Sequence, residues 1–211
     1  MLHVDKAAEQ MVAQIMCGLR SERLSVGISQ CALAEGLPFR GRAISEWETL
    51  AIQPTLDHLI LLAHALDQRL VVLGWNGLLR VDAVRQRPGE SLVVFERRRL
   101  AWPLKSRRQA MGMSQGELGE LVGVSRDSIQ RWELVRVPPR PIAHVVWAQK
   151  LGCSIALQPI DPAGDAQTKA RLRGPAVWSS QGSAGGVSFG VVRAVRQLVP
   201  SSCRQGPGFR I

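Results

Sequence analysis

No tract of this 211-residue chain is apolar for long enough to cross a bilayer. The longest, around Leu56–Leu66, is broken by Asp57, His58 and His64, whereas a spanning helix needs about 20 consecutive apolar residues. A basic-then-apolar leader is also lacking, so an intracellular, cytoplasmic address is expected. The four cysteines, Cys17, Cys31, Cys153 and Cys203, form no Cys-x-x-Cys pair, and His3, His58, His64 and His144 do not cluster. Reduced thiols and no metal site are therefore expected. The glycine-rich stretch 182–186 lacks the Gly-Lys-Ser/Thr ending of a phosphate loop. No Ser/His/Asp set or close carboxylate pair stands out, so neither catalysis nor a cofactor is expected.

Acidic residues are missing from one region. Residues 166–211 contain none, against seven basic residues. Net charge is −2 over residues 1–74, +3 over 75–99, +4 over 100–160 and +5 over 161–211, which makes the formal total of +10. A polyanionic partner suits the second half better than the first. With its Gly/Ser clusters, 161–211 reads as a disordered basic tail. Within it, Phe189, Val192, Val195 and Val199 fall on one brief helical face.

What the chain does have is a repeat. Leu19–Val72 lies over Leu104–Leu157 without a gap, at an offset of 85. Identical pairs include Arg23/Arg108, Gly27/Gly112, Ser29/Ser114, Gln30/Gln115, Leu33/Leu118, Ile44/Ile129, Trp47/Trp132 and Glu48/Glu133. Pro54/Pro139, Ala63/Ala148 and Leu66/Leu151 continue the match. An ungapped match of this length indicates internal duplication. Two domains follow, over 1–74 and 91–160, with 75–90 as connector on its Asn76-Gly77 and Pro88-Gly89 turn signals.

Apolar periodicity gives each copy four helices and a short strand. In the first copy the helices begin at Asp5, Ser29, about Arg40 and Thr55, and the strand is Arg69–Leu73. In the second, Ser114 and Ser125 cap successive helices, Gly123 closes the first of them, and Pro141 opens a fourth. Ser154–Leu157 is the matching strand. Pro103, inside the second copy's long first helix, predicts a break or kink near Leu100–Pro103.

The stretch from Ser114-Gln115 through Leu118, Gly123, Ser125, Ile129 and Trp132-Glu133 resembles the Cro-like phage-repressor helix-turn-helix family, the xenobiotic-response-element type. Ser29–Glu48 resembles it more weakly. The resemblance covers about 10–73 and 95–158. It implies a mostly α fold of two tandem lambda-repressor-like bundles of four to five helices, each followed by a short strand. Independently of it, Leu118, Val124, Ile129 and Trp132 are spaced to pack two short helices across a tight turn. That leaves Arg126, Asp127, Gln130 and Arg131 on the free face of the second, and such a helix fits the major groove of duplex DNA.

Carried over position by position, the family implies base reading by Ser125, Arg126, Asp127 and Arg131, with Gln130 nearby. The competing expectation is that Asp127 and Arg131, four apart, pair with each other. Ser114, Gln115 and the N–H groups opening that helix suit phosphate, as do Ser29 and Gln30; Arg136 and Arg140 are further phosphate candidates. Arg108 with Glu133, and Arg23 with Glu48, are expected to form structural salt bridges, and both tryptophans to be core.

The first copy departs where reading would occur. Pro38-Phe39 replaces Gly-Val in the turn, Arg40 the capping Ser, Gly41 the arginine and Glu46 the second arginine. Arg40 and Arg42 keep base contact open; the alternative makes this copy a dimerisation or protein-binding module. The leading expectation is a sequence-specific transcriptional regulator that binds double-stranded DNA, in the cytoplasm at the nucleoid. Its two modules would mimic the pairing of dimeric repressors, entering major grooves about 34 Å apart. The alternative is an antitoxin-like protein whose first copy holds a protein partner while the second binds DNA.

Overall fold

Asp5 opens the first helix, α1 (Lys6–Ser25), by accepting the Ala8 N–H at 2.7 Å. One stripe of α1 buries Ala8, Val12, Ile15, Met16 and Leu19 and ends on Arg23. Gly27, at φ 70°, then turns the chain, a conformation that costs glycine little. Ser29 caps α2 (Gln30–Ala34), α3 spans Gly41–Glu48, and Thr55 caps α4 (Leu56–His64). Strand β1 (Gln68–Gly74) is followed by the two-residue strand β2 (Gly77–Leu78). Then come α5 (Leu92–Ala110), α6 (Gln115–Val122), α7 (Arg126–Glu133), α8 (Pro141–Lys150) and β3 (Ser154–Pro159). This computed structural model describes residues 1–74, 84–160 and the backbone of 77–78. The tail expected over 161–211, and most of the 75–83 stretch, lie outside the described residues.

The elements recur with the offset of 85: α3 and α7 coincide at both ends, and α4 and α8 begin at equivalent residues. Three features differ from the sequence reading. The connector starts as part of a sheet, because β2 pairs with the end of β1 (Leu73 with Leu78, Gly74 with Gly77). The chain stays helical across Pro103, from Leu92 to Ala110. Proline there forfeits a backbone hydrogen bond, at about 3 kcal/mol, but Leu100, Ala101, Pro103 and Leu104 are all buried in the helical arrangement, which offsets it.

The third difference concerns the relation of the copies. The strands pair across them, antiparallel, in a sheet of order β2-β1-β3, and every described residue falls in one compact unit. The cause is the apolar character of both strands: Leu70, Val71, Val72 and Ile155 are each buried. An open edge of that kind is stabilised by a partner strand.

Helix packing crosses between the copies in the same way. Helix α1 lies against α8 and β3, and α5 against α4 and β1. Where α1 meets β3, a Cβ on Gly18 would stand 3.0 Å from Leu157 Cδ1, so the close approach depends on glycine. Where α5 meets α4 and β1, the buried Glu96 takes Arg99 Nε at 2.8 Å and lies 3.2 Å from His64 Nε2 and 3.9 Å from Arg69. Arg99 also donates to the Leu70 carbonyl. Burial alone would raise the Glu96 pKa; His64 and Arg99 outweigh it, and the carboxyl is held below its ordinary value. One core joins Met16, Leu19 and Ile60 to Leu100, Leu104 and Trp147.

Candidate nucleic-acid interface

Helices α6 and α7 are set by their own caps. Ser114 accepts the Glu117 N–H at 3.1 Å while the Glu117 carboxylate accepts the Ser114 N–H at 2.7 Å. This reciprocal pair satisfies two otherwise free donors at the start of α6. Helix α6 ends on Gly123, in the left-handed region at φ 82°, with its N–H on the Gly119 carbonyl at 2.8 Å. Ser125 caps α7 by accepting the Ser128 N–H at 3.2 Å.

The turn is tight because Gly119 lacks a side chain: a Cβ there would lie 2.8 Å from the Val124 carbonyl oxygen. Over the turn lies the beginning of the chain, where the His3 N–H donates to the Val122 carbonyl at 2.9 Å.

One face of α7 is sealed. Ile129 has no exposure, and Trp132 and Glu133 are buried. Arg108 of α5 grips Glu133 with two parallel bonds, Nε to Oε1 at 2.6 Å and Nη2 to Oε2 at 3.0 Å. Its remaining donor reaches the Met113 carbonyl at 2.6 Å. Gln115, at the start of α6, adds a bond to Glu133 Oε2 at 2.8 Å. One carboxylate thus ties three helices together. The first copy repeats the arrangement: Arg23 reaches Glu48 at 2.7 and 2.8 Å and the Ile28 carbonyl at 2.8 Å, and Gln30 reaches Glu48 at 2.7 Å.

The opposite face of α7 is open, with Arg126, Asp127, Gln130 and Arg131 all exposed. Asp127 and Arg131 pair at 2.7 Å with both side chains more than half exposed, an interaction weak enough for another anion to displace. Ser125, at the tip, is exposed, and its hydroxyl serves the cap. Arg136 and Arg140 are exposed in the segment after α7. Ser114 and Ser29 are exposed caps, whereas the amides of Gln115 and Gln30 point inward to their glutamates. Sequence reasoning placed those two glutamines toward phosphate and did not find their bond to the carboxylate. Its signal is the matched spacing of 18 residues to Glu48 and Glu133.

In the first copy, α3 presents Arg42, paired with Glu46 at 2.9 Å, and begins at the exposed Arg40, which gives its helix no side-chain cap. Gly41 fits a close approach of α2 and α3, because a Cβ there would stand 3.0 Å from the backbone and sulfur of Cys31. Phe39 packs edge-on to Trp47, with ring centroids 4.8 Å apart.

Behind α7, Trp132 meets Trp147 at 5.8 Å, and His144 stands edge-on to Trp147 at 5.4 Å. Neither ring nitrogen of His144 has a hydrogen-bond partner among the described residues. Burial pushes its pKa down to about 4, so the ring is neutral at pH 7.

Residues 99–157 match the family described as a helix-turn-helix domain. No curated protein and no solved structure matches the chain. The matched segment runs from the second half of α5 to β3, the elements that hold and present α7. A match to a helix-turn-helix domain points to a DNA-binding regulator in general terms. Among the described residues, no helix is long and apolar enough to cross a membrane, and no group of three or more His, Cys, Asp or Glu is placed to hold a metal ion.

Proposed function

We propose that this protein is a sequence-specific transcriptional regulator of the Cro-like type, built from tandem helix-turn-helix modules, with α7 as its principal reading helix. The observation that carries the reading is the contrast between the two faces of α7. One is fixed through Glu133 to α5 and α6; the other offers Arg126, Gln130 and Arg131 to solvent. Guanidinium groups on a rigid exposed helix are suited to guanine O6 and N7 in the major groove. Arg136, Arg140 and those opening N–H groups of α6 that lie outside the Ser114–Glu117 capping pair supply sequence-independent attraction to phosphates. The role is one of binding, with no chemical step assigned to the chain.

Selection from a random pool of duplex DNA, repeated at several salt concentrations, tests this. An enriched motif is expected from the wild-type chain, and Arg126→Ala with Arg131→Ala should erase it. A chain that enriches nothing even at low salt is not a reader of DNA. Recovery of a stoichiometric protein bound through the first copy, with DNA contacted by the second alone, would favour the antitoxin-like arrangement.

A further inference from the structure

The register of the central strands carries more than the fold. Val71 lies opposite Ala156, Leu70 opposite Leu157, and Val72 opposite Ile155. Ala156 is the repeat equivalent of Val71, and Leu157 and Ile155 are the equivalents of Val72 and Leu70. The ladder is therefore symmetric about one duplicated position, as it is in two-fold dimers that pair like strands. The helices follow the same operation: α1 on α8 and β3 becomes α5 on α4 and β1. An approximate two-fold axis passes between Val71 and Ala156 and relates α3 to α7.

We infer that the DNA partner is a bipartite element of two inverted but unlike half-sites, bound by a single chain. The inference rests on the DNA-reading role proposed above. A protein two-fold is mirrored in the duplex as inverted half-sites. Identical subunits would make those halves a palindrome, and here the surfaces have diverged. Arg126, Asp127, Gln130 and Arg131 on α7 correspond to Gly41, Arg42, Ser45 and Glu46 on α3. Different donors and acceptors at equivalent places select different base edges.

Divergence at the two seams sets the stoichiometry. Glu96, Arg99, His64 and Arg69 meet at one seam; their equivalents at the other are Met11, Gln14, Gln149 and Ser154. Two second copies placed together would bury Glu96 against Gln149 and Ser154. Two first copies would set Met11 against His64 and Arg69. In the first of these Glu96 keeps Arg99, on its own helix, but loses both His64 and Arg69. A buried carboxylate stripped of two of its three partners is disfavoured, so the first copy pairs with the second. One chain supplies both.

The test uses the full chain and a random duplex pool, with the mass of the purified complex measured by light scattering. Expected are two enriched blocks of unlike sequence, inverted in strand sense and at fixed spacing, in a complex of one chain per duplex. Arg126→Ala should weaken base preference about tenfold in one block only, and Arg42→Ala about tenfold in the other only. Both residues are exposed, so thermal unfolding should stay unchanged. A single block, a palindrome holding two chains, or an Arg42→Ala motif identical to wild type would overturn the inference while leaving DNA reading intact. Absence of any enriched sequence would instead remove the reading on which it rests.

Discussion

Gln115 donates its side-chain amide to Glu133 Oε2 at 2.8 Å, on the carboxylate already held by Arg108. The first residue of α6 is thus bonded to the last residue of α7, and the angle between the two helices has a polar tie as well as an apolar one. Arg108→Ala would leave Glu133 buried with one partner. It should lower the unfolding free energy by about 3–5 kcal/mol, and Gln115→Ala by about 1–3 kcal/mol. Urea titration followed by circular dichroism reads both. Equal, negligible effects would mean that the carboxylate is not a junction.

Two glycines of α6 should respond in opposite directions to the same change. A Cβ on Gly119 would meet the Val124 carbonyl at 2.8 Å, whereas one on Gly116 would meet only Ser114 Oγ, at 3.7 Å. Gly119→Ala is expected to destabilise by about 1–3 kcal/mol. Gly116→Ala should stabilise by up to about 1 kcal/mol through helix propensity. Melting temperatures of the two variants decide this.

His144 gives a pH dependence of definite sign. Its folded pKa is about 4, below the ordinary 6.5, so the unfolded chain takes up the proton first. Stability should be unaffected by this group above about pH 6.5 and decline as pH falls toward 4, by about 3 kcal/mol in all. His144→Leu should flatten that part of the profile. A variant that retains the same slope would assign it to other groups.

Asp127 restrains Arg131 at 2.7 Å and sets a negative charge where a phosphate would approach. Asp127→Asn should strengthen binding to random-sequence duplex and steepen the salt dependence of log Kd by about one. Filter binding across a salt series measures it. A weaker complex would show that the carboxylate itself accepts from a base.

The local design of the chain was readable at specific residues. Ser114, Ser125, Thr55 and Pro141 each stand where a helix begins, because caps and first-turn preferences act within a few residues. Partner choice between strands is a long-range matter. Nothing near Leu70 or Ile155 states that they share a sheet, and the connector suggested separation. Pro103 does not break its helix, because the burial of Leu100 and Leu104 counts against its local propensity. Glu96 was readable in principle: at steps of four, it shares a stripe with Leu100, Leu104 and Arg108, and all four are buried. It went unnoticed beside the run Arg97-Arg98-Arg99, which looks like a solvated surface.

Gly18 gives α1 room against Leu157, a residue contributed 139 positions later. The first helix of the molecule is therefore finished by the last described strand, and neither half carries a complete interior. A backbone nick between Leu78 and Val84 should leave two fragments that stay together and can be reassembled from separate denatured pieces. Each alone would be a sticky, incompletely folded chain. The two halves are mutually dependent, so that losing either would strand the other.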